Sequence, residues 1–283
     1  MDVLIISDFG LHHTLGGAQR SNQIIIDEGN IRGHNISCFH YDSHVSVLQQ
    51  GYDVVISSNL EIISSRYPRL VQNIPNLDNH VRLEHDSNLY WTNEFRKHFW
   101  KSCKISFFLT KFHHEFFVRM YGDFFQNIKI VPDPIDKSFY DMKLERSNKI
   151  GYIGFMHQLK GTNNFLKYAK QNPDKEFIVA AWGAKEWLEC INELKNVEFI
   201  GKLNHDQMPL FYNTIDSLYY NPICNEPFCR SVGEALMCGT KIIGGSDRIG
   251  SLKMYQSDQD TFREKCINAA NNFWEILEDE FSC

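Results

Sequence analysis

No Cys-x-x-Cys pair occurs among the eight cysteines, at 38, 103, 190, 224, 229, 238, 266 and 283, so zinc-ribbon and thioredoxin-like spacings are absent. A chain of 283 residues builds a core without staples, and these cysteines read as reduced thiols packed as small hydrophobes in a cytosolic protein. Glycine and proline are scarce, 17 and 8, which excludes collagen-like and low-complexity chains. A basic excess is missing too: 29 Lys+Arg against 35 Asp+Glu leave a formal charge of −6. With no run of five like charges, neither nucleic acid nor an anionic membrane surface is an expected partner. The longest apolar runs, such as Phe177–Trp182, are about a third of a membrane span, so no transmembrane segment is expected. Met1–Asp8 opens with an acid and a short apolar run, which reads as a buried strand and not as a signal peptide.

What is present is alternation. Short apolar runs recur at Val3–Ser7, Asn35–Phe39, Asp53–Ser57, Val81–Glu84, Ile105–Leu109 and Ile128–Val131, with helical stretches between them. After Pro132-Asp133-Pro134-Ile135-Asp136 and the polar stretch Lys143–Asn148 the pattern restarts, at Lys149–Ile153, Phe177–Ala181, Val197–Ile200, Ser217–Tyr219 and Lys241–Ile243. Helical candidates lie at 162–171, 184–195, 206–214 and 230–238, and a last amphipathic segment runs from Asp258 to Phe281. Such alternation predicts α/β architecture with two Rossmann-like parallel-sheet domains facing across a cleft, where ligands are expected beyond the carboxyl ends of the strands. The expected boundaries are 1–140 and 147–257, with 258–283 as a C-terminal helix that crosses back to the first domain.

Three segments carry chemistry. Gly16-Gly17 follows the first strand and opens a helix, where backbone N–H groups approach an anion closely. In Gly151-Tyr152-Ile153-Gly154-Phe155-Met156-His157-Gln158-Leu159-Lys160-Gly161, a strand ends and Lys160 stands just before a helix as a point charge for phosphate. In Glu226-Pro227-Phe228-Cys229-Arg230-Ser231-Val232-Gly233-Glu234, the two glutamates are eight apart, one in a loop and one about a turn inside the next helix. A carboxylate there accepts from vicinal hydroxyls while loop and helix N–H groups face an anion, which together describe a nucleotide sugar. The adjacent pairs His12-His13 and His113-His114 do not point at one metal, read as surface or loop residues, and no metal site is expected. Phe107-Phe108, Phe112 and Phe116-Phe117 read as core, with Tyr90-Trp91 offered to an acceptor surface.

The Glu-x7-Glu segment running into Glu234-Ala235-Leu236-Met237-Cys238-Gly239-Thr240-Lys241-Ile242-Ile243 resembles the signature of the family-4 glycosyltransferases, glycosyl transferases group 1, which are retaining enzymes of the GT-B fold. The Gly-Gly-Ala-x-Arg start, Val131-Pro132-Asp133-Pro134-Ile135-Asp136, the Gly-x5-Lys-Gly loop and Asn196–Gly201 follow in the family's order. The resemblance implies transfer of a sugar from a UDP- or GDP-sugar to a saccharide, lipid-linked or protein-linked glycan acceptor, by a front-face route without a protein nucleophile, without a cofactor and without a metal ion. It implies an acceptor-side first domain and a donor-side second one. Lys160 then lies on the donor diphosphate, Glu226 at the donor sugar, Glu234 on the ribose, and His85 near sugar and acceptor. Gly16 and Gly17 approach phosphate or acceptor, and Phe228, Cys229, Arg230 and Ser231 complete the donor loop.

Two positions depart from the family pattern. Phe155 occupies the place where the family commonly carries an arginine beside the lysine, so the diphosphate clamp lacks one charge that Arg230 would have to replace. Cys229 stands where a smaller residue is usual and narrows the sugar pocket. Phe155 therefore motivates an alternative, a catalytically silent nucleotide-sugar binder or assembly subunit on the same fold. A third reading is an isomerase acting on the nucleotide sugar.

Overall fold

In the computed structural model the described residues are 1–10, 12, 16–86 and 92–281. His13, Tyr90, Trp91 and Cys283, all singled out above, lie outside them. The chain forms two compact units, residues 1–134 with 264–283, and residues 135–263.

The first unit contains β1 (Asp2–Ile6), α1 (Gly17–Ile31), β2 (Asn35–Phe39), β3 (Val54–Ser57), α2 (Glu61–Arg66), α3 (Pro68–Asn73), β4 (His80–Leu83), α4 (Asn93–Ser102), β5 (Ile105–Phe108), α5 (Lys111–Tyr121) and β6 (Ile128–Ile130). All six strands are parallel, in the order β2-β1-β3-β4-β5-β6. β3, β4 and β5 are buried residue by residue, as a sheet covered on both faces requires. Phe107, Phe108 and Phe117 are fully buried, and Trp100 of α4 packs against Phe117 and Phe125 with ring centroids 5.5 and 5.1 Å away. His113 departs from its expected surface placement. It is buried, with Nδ1 accepting from Leu109 N–H at 3.4 Å and Nε2 donating to the Asp86 carbonyl at 3.2 Å. Both ring nitrogens are thereby used, so burial leaves no unmet hydrogen bond.

The second unit contains β7 (Ile150–Met156), α6 (Thr162–Gln171), β8 (Phe177–Gly183), α7 (Lys185–Asn192), β9 (Val197–Phe199), α8 (Met208–Thr214), β10 (Ser217–Tyr219), α9 (Arg230–Met237), β11 (Lys241–Ile243) and α10 (Gly250–Ser257). Its parallel strands run β11-β10-β7-β8-β9. Strand order therefore reverses between β7 and β10. Ile150, Tyr152, Met156, Phe177, Val179 and Ala181 build one core face with Phe165 of α6, whose ring stacks on Tyr152 at 4.3 Å.

The stretch from Asp258 to Phe281, one amphipathic segment in the sequence, is two helices, α11 (Gln259–Ile267) and α12 (Ala269–Phe281). α12 packs on α1. Trp274 Nε1 donates to the Ile25 carbonyl at 2.7 Å, and Arg32 and His34 both reach Glu278, at 2.7 and 2.9 Å. A Cβ at Gly29 would stand 2.4 Å from the Trp274 ring, so this contact needs glycine.

Candidate functional site

Strand order reverses between β7 and β10, and the carboxyl ends of the strands at such a reversal are the usual ligand position in an open parallel sheet. The loops leaving the two strands are tied together. Ile223 N–H donates to the Leu159 carbonyl at 2.9 Å, and Asn164 of α6 donates to the Asn221 carbonyl at 2.9 Å. Gly161 lies so close that an added Cβ would be 2.0 Å from the Asn221 oxygen, and its φ of +82° is left-handed. Only glycine satisfies both conditions.

This clamp brings Lys160 and Glu226 together. Lys160 Nζ donates to Glu226 Oε1 at 2.7 Å, with 44% of the lysine side chain and 8% of the glutamate side chain exposed. Burial works against the charge on Lys160, but the adjacent Glu226 carboxylate outweighs it and holds the ammonium above its ordinary pKa. The Glu226 main chain is held by a bridge to Ile249, with its N–H on the Arg248 carbonyl at 2.8 Å and its carbonyl accepting from Gly250 N–H at 2.9 Å. Tyr220, just beyond β10, donates to the same Oε1 at 3.2 Å.

α9 starts immediately downstream. Its N-cap is Cys229, a non-glycine residue at φ +69°, whose carbonyl accepts from Val232 and Gly233 N–H groups. A left-handed non-glycine residue stores strain of the kind that clusters at functional sites. Burial, with Glu226 adding, pushes the Cys229 thiol up to about 12, so it remains protonated. Within the helix Arg230 Nε and Glu234 Oε1 are 3.3 Å apart, both side chains under a tenth exposed. Tyr212 of α8 donates to Glu234 Oε2 at 3.4 Å. Ser231 is partly exposed beside them. Phe228 is only 1% exposed: its ring lies parallel to Phe262 at 6.5 Å and under Gly233.

The structure thus gathers Lys160, Glu226, Cys229, Arg230, Ser231 and Glu234 in the second unit and directs Phe228 into its core. Gly16, Gly17 and His85 belong to the first unit. Gly16 is the N-cap of α1 without a side-chain cap bond. His85, two residues past β4, has Nε2 3.0 Å from Asn22 Oδ1 of α1 and Nδ1 3.4 Å from Asp133 Oδ1. Tyr220, Tyr212 and Asn22 escaped the sequence reading. Two of them carried a positional signal, because Tyr220 directly follows β10 and Asn22 lies just over one turn into α1; Tyr212 carried none.

Among the described residues no group of three His, Cys, Asp or Glu side chains is placed to hold a metal ion. The one Asp-x-Asp triplet, Asp258-Gln259-Asp260, sits where α10 gives way to α11, with Asp258 accepting from Thr261 N–H at 3.2 Å. Among the described residues no helix is long and apolar enough to cross a membrane.

Comparison with known proteins agrees with this architecture. Residues 136–263 match the family described as glycosyl transferases group 1. The chain is similar in structure to sucrose-phosphate synthase from Thermosynechococcus elongatus, at 12% identity and TM-score 0.71, covering 99% of this chain and 95% of that one. It is similar to a glycosyltransferase from Rickettsia africae, at 13% identity and TM-score 0.67, covering 99% of both. It also resembles Anabaena Alr3699/HepE, solved with UDP and glucose, at 12% identity and TM-score 0.60, covering 99% and 95%. No curated protein matches the chain.

Proposed function

We propose that this chain, whose residues 136–263 match the glycosyl transferases group 1, transfers a sugar, with retention and without a metal ion, from a UDP- or GDP-sugar to a saccharide, lipid-linked or protein-linked glycan acceptor. The observation that carries this reading is the 2.7 Å Lys160–Glu226 pair at the strand-order reversal, with Arg230 and Glu234 in the first turns of the adjoining helix. A diphosphate set there meets an ammonium with exposed surface and a helix N-terminus, and vicinal hydroxyls meet a carboxylate.

Cleavage of the bond between the anomeric carbon and the β-phosphate oxygen leaves charge on the diphosphate. Lys160, the N–H groups at the start of α9 and Arg230 stabilise that charge, which is the largest expected contribution to the rate. Glu226 faces the sugar and fixes the Lys160 ammonium. Glu234 takes the ribose, and Phe228 acts from the core by supporting the loop. Cys229 lines the sugar pocket, and Ser231 contributes at the helix start. In the N-terminal unit, Gly16-Gly17 and His85 serve the acceptor side. The reaction takes place in the cytoplasm.

The deciding experiment incubates the protein with radiolabelled UDP- and GDP-sugars, with and without EDTA, and follows transfer or hydrolysis and the anomeric configuration of the product. Product insensitive to EDTA and of retained configuration supports the reading. Ligand-induced thermal stabilisation with no product under any condition supports the silent binder that Phe155 suggests. Lys160→Ala and Glu234→Ala with wild-type kinetics would remove the site assignment.

A further inference from the structure

We propose that Phe155 and Trp182 form the platform on which the base of the donor nucleotide stacks, which makes them determinants of nucleotide affinity. This rests on the donor reading above and adds two residues to it.

Along β7 and β8 successive side chains alternate between faces. Ile150, Tyr152 and Met156, with Phe177, Val179 and Ala181, point into one core, so residues 151, 153, 155, 178, 180 and 182 belong to the opposite face. That second face is covered near the strand beginnings by α8, whose Phe211 lies 3.2 Å from where a Gly151 Cβ would stand. α8 also bonds Glu234 of α9 through Tyr212. At the carboxyl ends the cover stops. Phe155 and Trp182 are direct neighbours in the β7–β8 register, their ring centroids 6.2 Å apart, and they are 49% and 40% exposed. Two large aromatic rings left on one cross-strand pair forgo the burial that stabilises the rest of the sheet, which marks a surface that a ligand covers.

Charge selects the ligand. The Lys202 ammonium lies 4.9 Å from the Trp182 ring centroid, and Lys160 follows Phe155 by five residues, in the turn that leaves β7. The His157 ring, 6.0 Å from that of Phe155, is within 13° of parallel to it. Flat rings interleaved with cations suit a flat ring that carries phosphate. A nucleobase attached to the diphosphate that Lys160 holds has that composition. An uncharged saccharide acceptor would draw hydrogen bonds but no ion pairing from Lys160 or Lys202.

The test is calorimetric titration of UDP, GDP, ADP and inorganic pyrophosphate into the wild-type chain and into Trp182→Ala, Phe155→Ala and Trp182→Phe. The expected result is that each alanine variant weakens the preferred nucleoside diphosphate on the order of tenfold, leaves pyrophosphate unchanged, and that Trp182→Phe keeps most of the affinity. Both side chains are exposed, so the thermal midpoint without ligand should not move. Unchanged nucleotide affinity, equal loss for nucleotide and pyrophosphate, or an effect confined to acceptor KM would overturn the platform while leaving the donor reading intact. A wild-type chain that binds none of the three nucleotides would overturn both.

Discussion

Each unit holds a lysine or arginine against a glutamate at the carboxyl end of its sheet, and the two pairs are built differently. In the first unit Arg82 grips Glu84 with two bonds, Nε to Oε1 at 2.6 Å and Nη2 to Oε2 at 3.0 Å, with both side chains almost wholly enclosed. Trp100 Nε1 donates to the same carboxylate at 2.7 Å, and Arg82 Nη1 donates to the Ser58 carbonyl. Burial works against both charges, but their mutual attraction holds the Glu84 carboxyl below the usual carboxylate range and Arg82 above its own. In the second unit Lys160 makes one bond to Glu226 and keeps nearly half its side chain exposed. A closed pair is satisfied by the protein and specifies structure. An open pair is pre-positioned and satisfied only in part, which is what a ligand-binding pair requires.

The most severe way to break that contrast is Glu84→Ala. It leaves the enclosed Arg82 charge uncompensated and should cost on the order of 3–5 kcal/mol of stability, read from denaturant unfolding. Lys160→Ala should do the reverse. Stability should fall far less, because Lys160 is nearly half exposed and Tyr220 still donates to the enclosed Glu226 carboxylate, while turnover falls by a factor of roughly 100–1000, equivalent to about 2.7–4 kcal/mol of lost leaving-group stabilisation. If Lys160→Ala unfolds the chain, or Glu84→Ala leaves it stable, the two pairs are not of different kinds.

The same contrast bears on what the sequence disclosed. The eleven strands among the described residues were legible as short apolar runs, which fall on β1 to β11 within a few residues, most plainly in β3, β4 and β5, where every residue is buried. α6 was read at its observed bounds, since Gly161 and Asn172 bracket its periodic positions. α10 was not, because Gly250–Ser257 follows a loop with no periodic apolar face. The break between α11 and α12 was also invisible, as Asn268 joins two helices without proline or glycine. At the site, Lys160, Glu226 and Glu234 were legible from their spacing to glycines and to the helix start. Tyr212 and Tyr220 were not. Hydrogen bonding between residues 22 apart in sequence, as from Tyr212 to Glu234, comes from packing and leaves no local pattern.

Titration separates the units further. Burial, with Arg82 adding, lowers His80 from 6.5 to about 3, and burial lowers His113 from 6.5 to about 4. The unfolded chain therefore takes up two protons near pH 6.5 that the folded unit refuses, so stability is present above pH 6.5 and is lost as the pH falls toward 4 and 3. Glu61 acts in the opposite sense. Burial, with Asp86 adding, pushes it up to about 8 from 4.5, so the folded unit holds a proton that the unfolded chain lacks, and stability falls as pH rises from 4.5 to 8. Between pH 6.5 and 4.5 two histidines oppose one glutamate. Amide protection in β4 and α5 should drop on acidification through this window more than in β7 and α9, and Glu61→Gln should raise stability above pH 8. Equal protection loss in both units would remove the distinction.

The mildest change is Phe155→Arg, which places a cation near the end of β7, just before the loop that ends at Lys160. The position is exposed, so folding stability should shift by no more than about 0.5 kcal/mol. At low salt, pyrophosphate affinity should rise by up to about fivefold, the range of a single exposed ion pair, and the gain should shrink as ionic strength increases. Nucleoside diphosphates should gain less than pyrophosphate, because the same substitution removes one ring of the platform beside Trp182. Calorimetry at two salt concentrations reads both effects. If pyrophosphate affinity is indifferent to the new charge, the loop does not border the diphosphate, and the open pair at Lys160 loses the partner that distinguishes it from Arg82–Glu84.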